Sequence, residues 1–334
     1  MVFESLVSEA LPIPGRASSL RRDFNLSLIE SIQYLIEVCS EVVPAPLFTQ
    51  VQQKMKTIKL DLKLSSFLSL LHYELFNAAE KNDIKQVNSI IDCLNVEEPY
   101  AENLKFLSLS DLDARYLTSV KTIFSQEINR EVQFFPLSSS EFKVMETALQ
   151  RGLGLYKDAF PGFYEEFEQL IGEILLLKAK GLYQGSSTDL YGMIYKSFFH
   201  QWEKVTDVFE FFVHEQSHHY LFIVNKNDPL LLNPRDIHFS PIRKEKRPLM
   251  GIYHANFILS RVCYVLDNAL SNNVIPMEER SYCVDFLEKY KECFYEGLKT
   301  LETHGQFTSL GKAILESVTQ LVESITLKST KKTA

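Results

Sequence analysis

Beyond residue 200, apolar side chains recur every three or four residues over four long stretches, at about 200–224, 249–268, 277–303 and 311–325. That period commits each stretch to an α-helix, and helices this apolar must be covered by other elements. The same spacing governs the first 130 residues. Ile29, Ile32, Ile36 and Cys39 form one stripe, and Ile84, Val87, Ile91 and Leu94 form another. Breaks are expected at Pro44–Pro46, at Asn82-Asp83 as a helix cap, and at Glu97–Pro99.

Val132–Pro136 is a short strand candidate, and Ser138-Ser139-Ser140-Glu141 has the spacing of a capping box that opens a helix. Ile171–Lys178 and Tyr191–Ser197 are short, apolar and β-compatible, and the polar Gly185–Thr188 loop lies between them. They are expected to pair as a hairpin. The sequence thus predicts a mainly α (α+β) protein with a small antiparallel sheet in its second half. Its organisation is a helical N-terminal region over 1–130, a second region over 131–326 and a solvated tail over 327–334.

With 334 residues, 46% of them hydrophobic and 23% charged, the chain can build a large core, which excludes disorder, collagen and coiled coil. Forty-three acidic against 35 basic residues leave a charge of −8 with no basic stripe, so nucleic acid is not an expected partner. Glu4 and Glu9 interrupt the N-terminus where a secretion signal needs an apolar run, and no apolar run reaches the roughly 20 residues of a membrane span. Cys39, Cys93, Cys263, Cys283 and Cys293 form no CxxC pair and are expected as reduced thiols in a cytoplasmic protein. Oligomeric state is left open.

Five of the eight histidines lie between 214 and 254. In His214-Glu215-Gln216-Ser217-His218 the two histidines are four residues apart, so on a helix both imidazoles reach one ion while Glu215 sits about 100° around. Val208, Phe211 and Val213 before the motif, and Leu221, Phe222 and Val224 after it, predict a buried helix, where two uncompensated imidazoles would be costly. With the strand-like Tyr191–Tyr195 preceding it, the expected arrangement is zincin-like: an HExxH helix on a small antiparallel sheet.

A third metal ligand is needed, and His219, Asp228, Asp236, His238, Glu245 and His254 are the downstream candidates. His219 points about 100° away from His218. His254 stands alone in the apolar helix Gly251–Arg261 and ranks first, with Asp236 and His238 in a proline-punctuated loop behind it. Ser240–Leu249 is the most basic stretch of an acidic chain, with Arg243, Lys244, Lys246 and Arg247. Arg261 follows His254 by seven residues, two helical turns or about 10 Å, so a cation there has the reach to hold the distal carboxylate of a metal-chelated keto acid.

His214-Glu215-x-x-His218, followed by Ser240-Pro241-x-Arg243-x-x-x-Arg247-Pro248-Leu249-x-Gly251-x-x-His254, resembles the HExxH-type 2-oxoglutarate-dependent peptide β-hydroxylases. These proteins are also known as HExxH peptide-modification proteins of ribosomal-peptide gene clusters. The resemblance covers about residues 130–270. It implies Fe(II) as cofactor, 2-oxoglutarate and dioxygen as co-substrates, and hydroxylation of a side-chain β-carbon of a precursor peptide. It further implies His214, His218 and His254 as metal ligands, Arg247, Arg261 or Arg243 as keto-acid anchor, and Glu215 as a group that orients a ligand or touches the peptide.

The alternative is a zinc metallopeptidase in which Glu215 is the general base that activates a metal-bound water. The metzincin continuation x-x-G-x-x-H is missing after His218, and no Glu sits on an obvious helix 20–30 residues further on, as gluzincins require. A third class is a non-catalytic peptide-binding protein whose metal is structural.

Overall fold

The computed structural model describes residues 9–126, 131–200 and 202–325, so both the first eight residues and the basic tail lie outside the described residues. The protein is mainly α, of α+β type, and its chain divides into two interleaved compact units. One comprises Met1–Ala17, Thr147–Phe167 and Gln201–Ala334; the other comprises Ser18–Glu146 and Glu168–His200.

The second of these units begins with helices α1 (Arg16–Val38, from residue 18), α2 (Ala45–Thr57), α3 (Ser66–Glu80) and α4 (Ile84–Val96), and continues through β1 (Lys105–Ser108) and α5 (Ala114–Gln126). The helix starts follow local chemistry. Pro44 caps α2, where its missing N–H costs nothing. Asp83 accepts from Gln86 N at 3.0 Å to open α4. Ile29, Ile32, Ile36 and Cys39 are buried as their stripe requires, and so are Val87, Ile91 and Leu94, whereas Ile84 at the first position of α4 is 54% exposed. After β2 (Gln133–Phe135), the capping box at Ser138 forms: Glu141 N donates to Ser138 Oγ at 3.2 Å and Ser138 N to Glu141 Oε2 at 2.9 Å. It starts α6 (Ser139–Ala159), which is followed by α7 (Pro161–Leu170).

The sheet of this unit corrects one expectation. β3 (Glu173–Lys180) and β5 (Met193–Ser197) pair in parallel, not as a hairpin, with Leu175 opposite Tyr195. The Gly185-Ser186 segment is itself a strand, β4 (Gln184–Ser186), and it takes the antiparallel place beside β5. β1 pairs parallel to β3, and β2 pairs antiparallel to the end of β3, giving a mixed sheet. The run of buried residues from Glu173 to Leu177 suits a central parallel strand covered on both faces, where a solvent-facing hairpin strand would alternate.

The other unit is built around α8 (Val205–Asn227), α9 (Leu249–Ser271), α10 (Arg280–His304) and α11 (Ser309–Glu323), with the later part of α6 and most of α7. Its sheet is a separate antiparallel pair, β6 (Ile237–Ser240) with β7 (Glu245–Pro248), which leads directly into α9. α9 is apolar nearly all round. Among the described residues it is the one helix long and apolar enough to cross a membrane by composition, and 72% of its most apolar stretch is buried inside the protein. It packs against α8, where Tyr220 and Phe257 stack at 5.7 Å, and against α10 and α11. Two glycines set these approaches. A Cβ on Gly297 of α10 would lie 2.1 Å from Asn256 Oδ1, and one on Gly152 of α6 would lie 2.4 Å from Val208 of α8. None of the five cysteines is disulfide-bonded.

Candidate metal centre

α8 carries the motif, and its surroundings bury it on almost every side: Phe209, Phe211, Phe212, Val213, Tyr220 and Leu221 are all fully buried. Only one stripe is partly open, and it holds His214, His218 and Phe222 at successive turns. The His214 and His218 rings lie 5.1 Å apart between centroids. From α9, His254 comes within 6.1 Å of His218, while Phe222 flanks both of these rings at 5.7 and 5.9 Å. Three imidazoles from two helices are thus gathered against one aromatic wall.

Their nitrogens differ. His214 Nδ1 is 2.8 Å from Glu210 Oε1, which also accepts from Tyr290 Oη at 3.2 Å. His218 Nδ1 and His254 Nε2 are buried and have no hydrogen-bond partner. Arg261 Nε and Nη1 are in the same condition, but of these atoms only the imidazole nitrogens can act as metal ligands. Among the described residues, no group of three or more His, Cys, Asp or Glu side chains is placed to hold a metal ion.

Electrostatics favours neutral rings at two of the three positions. Burial pushes His254 down to about 4. Burial, and then the charges of His214, His254, His219 and Arg243, holds His218 well below the ordinary imidazole range. Burial alone would lower His214 too, but the carboxylates of Glu210 and Glu215 outweigh it and raise this ring above its usual value. Neutral imidazole is the form that binds metal.

Of the expected anchors, Arg243 is exposed at the turn between β6 and β7, and its charge acts on both His214 and His218. Arg247 is half-buried and runs along the first turn of α9, where a Cβ on Gly251 would meet its Nε at 4.0 Å. Arg261 is fully buried. Its guanidinium forms an ion pair with Glu166 of α7 and lies over the rings of Phe163, Phe257 and Tyr220 at 4.8, 5.3 and 5.6 Å. The same carboxylate meets Arg16 at 3.7 Å and accepts from Gln216 Nε2 at 3.0 Å, and Gln216 in turn accepts from Tyr156 Oη at 3.0 Å. Gln216 and Tyr220 follow the two motif histidines by two residues each, about 200° around α8, so Arg261 serves the opposite face of the helix from the rings.

The remaining candidates go elsewhere. His219 is fully buried with its edge toward Phe222, His238 stacks on His304 at 4.1 Å, and Asp236 is exposed and accepts from Asn233. Asp228 ends α8 in solvent, and exposed Glu245 lies 3.8 Å from Arg247. Glu215 is 1% exposed, held inside the fold beside His214. Sequence reasoning had not singled out Glu210, Phe222 or Gln216. Glu210 and Phe222 stand one turn before His214 and one after His218, a spacing visible in the sequence. No family model matches the chain, and no curated protein matches it.

Proposed function

We propose that this protein is an Fe(II)- and 2-oxoglutarate-dependent oxygenase that hydroxylates a side-chain β-carbon of a ribosomally synthesised peptide, with His214, His218 and His254 as the metal ligands. The observation that carries this reading is the gathering of those three rings on the one partly open stripe of α8, with buried, unpartnered nitrogens on His218 and His254. Two of the rings are held neutral, which is the state a ligand requires. When bound, the iron with its keto acid and dioxygen supplies the oxidising power for an unactivated carbon.

The chain's own residues supply the rest. His214, His218 and His254 would hold the ion through nitrogen, and the ion would keep positions for the co-substrates. Arg243, whose charge already reaches His214 and His218, and Arg247 behind it are the cations suited to the distal carboxylate of 2-oxoglutarate. Arg261 is committed to Glu166 and is not assigned that role. Glu215, almost completely buried, orients the site and is poorly exposed for activating a water, which favours the oxygenase over the zinc peptidase.

The test is anaerobic titration of the metal-free full chain with Fe(II) and then 2-oxoglutarate. The expected result is a weak visible charge-transfer band that is lost in His254→Ala. Iron binding with no band, together with zinc-supported cleavage of a generic peptide, would hand the assignment to the hydrolase.

A further inference from the structure

Glu210 lies outside the HExxH motif, one turn before its first histidine, and is 5% exposed. Its Oε1 lies 2.8 Å from His214 Nδ1 and also accepts from Tyr290 Oη at 3.2 Å, so a side chain from α10 helps fix the carboxylate. One turn earlier the pattern repeats, with Asp207 Oδ1 accepting from Tyr282 Oη at 2.7 Å. Phe286 stacks between the two tyrosines at 6.0 and 4.4 Å. An acidic stripe on α8 is thereby matched, turn for turn, by an aromatic ladder on α10, and His214 is the next residue along that stripe.

An ionised carboxylate oxygen only accepts, so the ring nitrogen facing it carries the proton, and once the ring is neutral the lone pair is on the other nitrogen. We infer that Glu210 is a positioning residue that holds His214 as its Nδ1–H tautomer and leaves Nε2 as the donor atom of the site, with Tyr290 fixing the carboxylate. A carboxylate behind a metal-binding imidazole sets the ring's tautomer and angle and makes the ligand more basic. His218 and His254 have no such partner on their buried unpartnered nitrogens, so His214 is the preset member of the three. The inference rests on the metal reading above.

The test uses the full chain with 15N-labelled histidine. In the metal-free protein at alkaline pH, where the imidazole is neutral, long-range 1H–15N correlations are expected to report His214 as the Nδ1–H tautomer, and this preference is expected to be lost in Glu210→Ala. Titration with Co(II), read by its visible absorption, is expected to show affinity about 10- to 100-fold weaker in Glu210→Ala. Tyr290→Phe, which leaves the core volume intact, is expected to lose about threefold and covers the case in which Glu210→Ala does not fold. A Co(II) affinity within twofold of the parent in either folded variant, or a parent His214 that carries its proton on Nε2, would overturn the inference. Parent protein that shows the Nδ1–H tautomer but takes up no metal would sink the metal reading and leave the Glu210–His214 assignment standing.

Discussion

Two polar clusters sit on opposite faces of α8, and they are built on different principles. The cluster under Gln216 is sealed: Glu166 is held between Arg16 and Arg261, and aromatic faces cover the guanidinium of Arg261. The cluster at His214, His218 and His254 is partly open and leaves two buried nitrogens without partners. Buried nitrogens without a partner occur in both, Arg261 Nε and Nη1 in the first and His218 Nδ1 and His254 Nε2 in the second. What separates them is charge: the first pairs guanidiniums with a carboxylate, whereas the second gathers imidazoles, two of which burial keeps neutral, so the first suits architecture and the second a ligand.

The largest expected effects separate these faces. His214→Ala or His218→Ala should reduce bound iron or cobalt to background by elemental analysis, while the metal-free protein unfolds in denaturant within about 1 kcal/mol of the parent. Normal metal content in either variant would remove the reading of that face. Arg261→Leu should do the reverse, costing about 3–5 kcal/mol by leaving Glu166 short of charge in the core. Equal stability of parent and Arg261→Leu in a urea titration would show the sealed cluster to be incidental.

Glu173 sharpens the contrast from the other unit, because it is a buried carboxylate with no arginine against it. It accepts from Ser66 N at 3.3 Å, and burial raises it to about 7. The folded state therefore keeps a proton that the unfolded chain has released above about pH 4.5. Stability contributed by this group is complete below that pH, falls as pH rises to about 7 and is flat above, a change of about 3 kcal/mol. Glu173→Gln should flatten that slope in denaturation measured from pH 5 to 8, and an unchanged slope would reject the assignment. The smallest effect is expected at Arg243→Leu: about a tenfold higher requirement for 2-oxoglutarate with unchanged thermal stability, since its side chain is exposed. An unaltered requirement there would leave Arg247 as the anchor.

Local features of this fold were legible in the sequence because their causes are local. The capping box at Ser138 and the cap at Asp83 formed as their spacings demand, and the four long helices beyond residue 200 fall close to their expected spans. What was not legible depends on distant partners. Nothing near Ile171–Lys178 says that β1, from before residue 110, will pair in parallel with one edge of it, or that β4 will take the antiparallel place beside β5 and leave β5 parallel to β3. Likewise the i, i+7 spacing of His254 and Arg261 is real, but the partner of Arg261 stands 95 residues upstream. The motif pair and His254 were visible as candidates from spacing and apolar context alone. The tyrosine that steadies Glu210 was not, since it arrives on a helix 80 residues away.

The interleaving of the units bears on how the chain is made. Neither unit is a continuous run: the one that carries the motif also draws on Met1–Ala17 and Thr147–Phe167. During synthesis Arg16 and Glu166 leave the ribosome well before Arg261, and the buried triad closes only when the last of the three has emerged. A fragment starting at residue 201 would hold every proposed metal ligand, yet would lack Glu166, the carboxylate paired with Arg261. Excising the motif region is therefore expected to yield insoluble protein, and the chemistry of this chain belongs to its whole length.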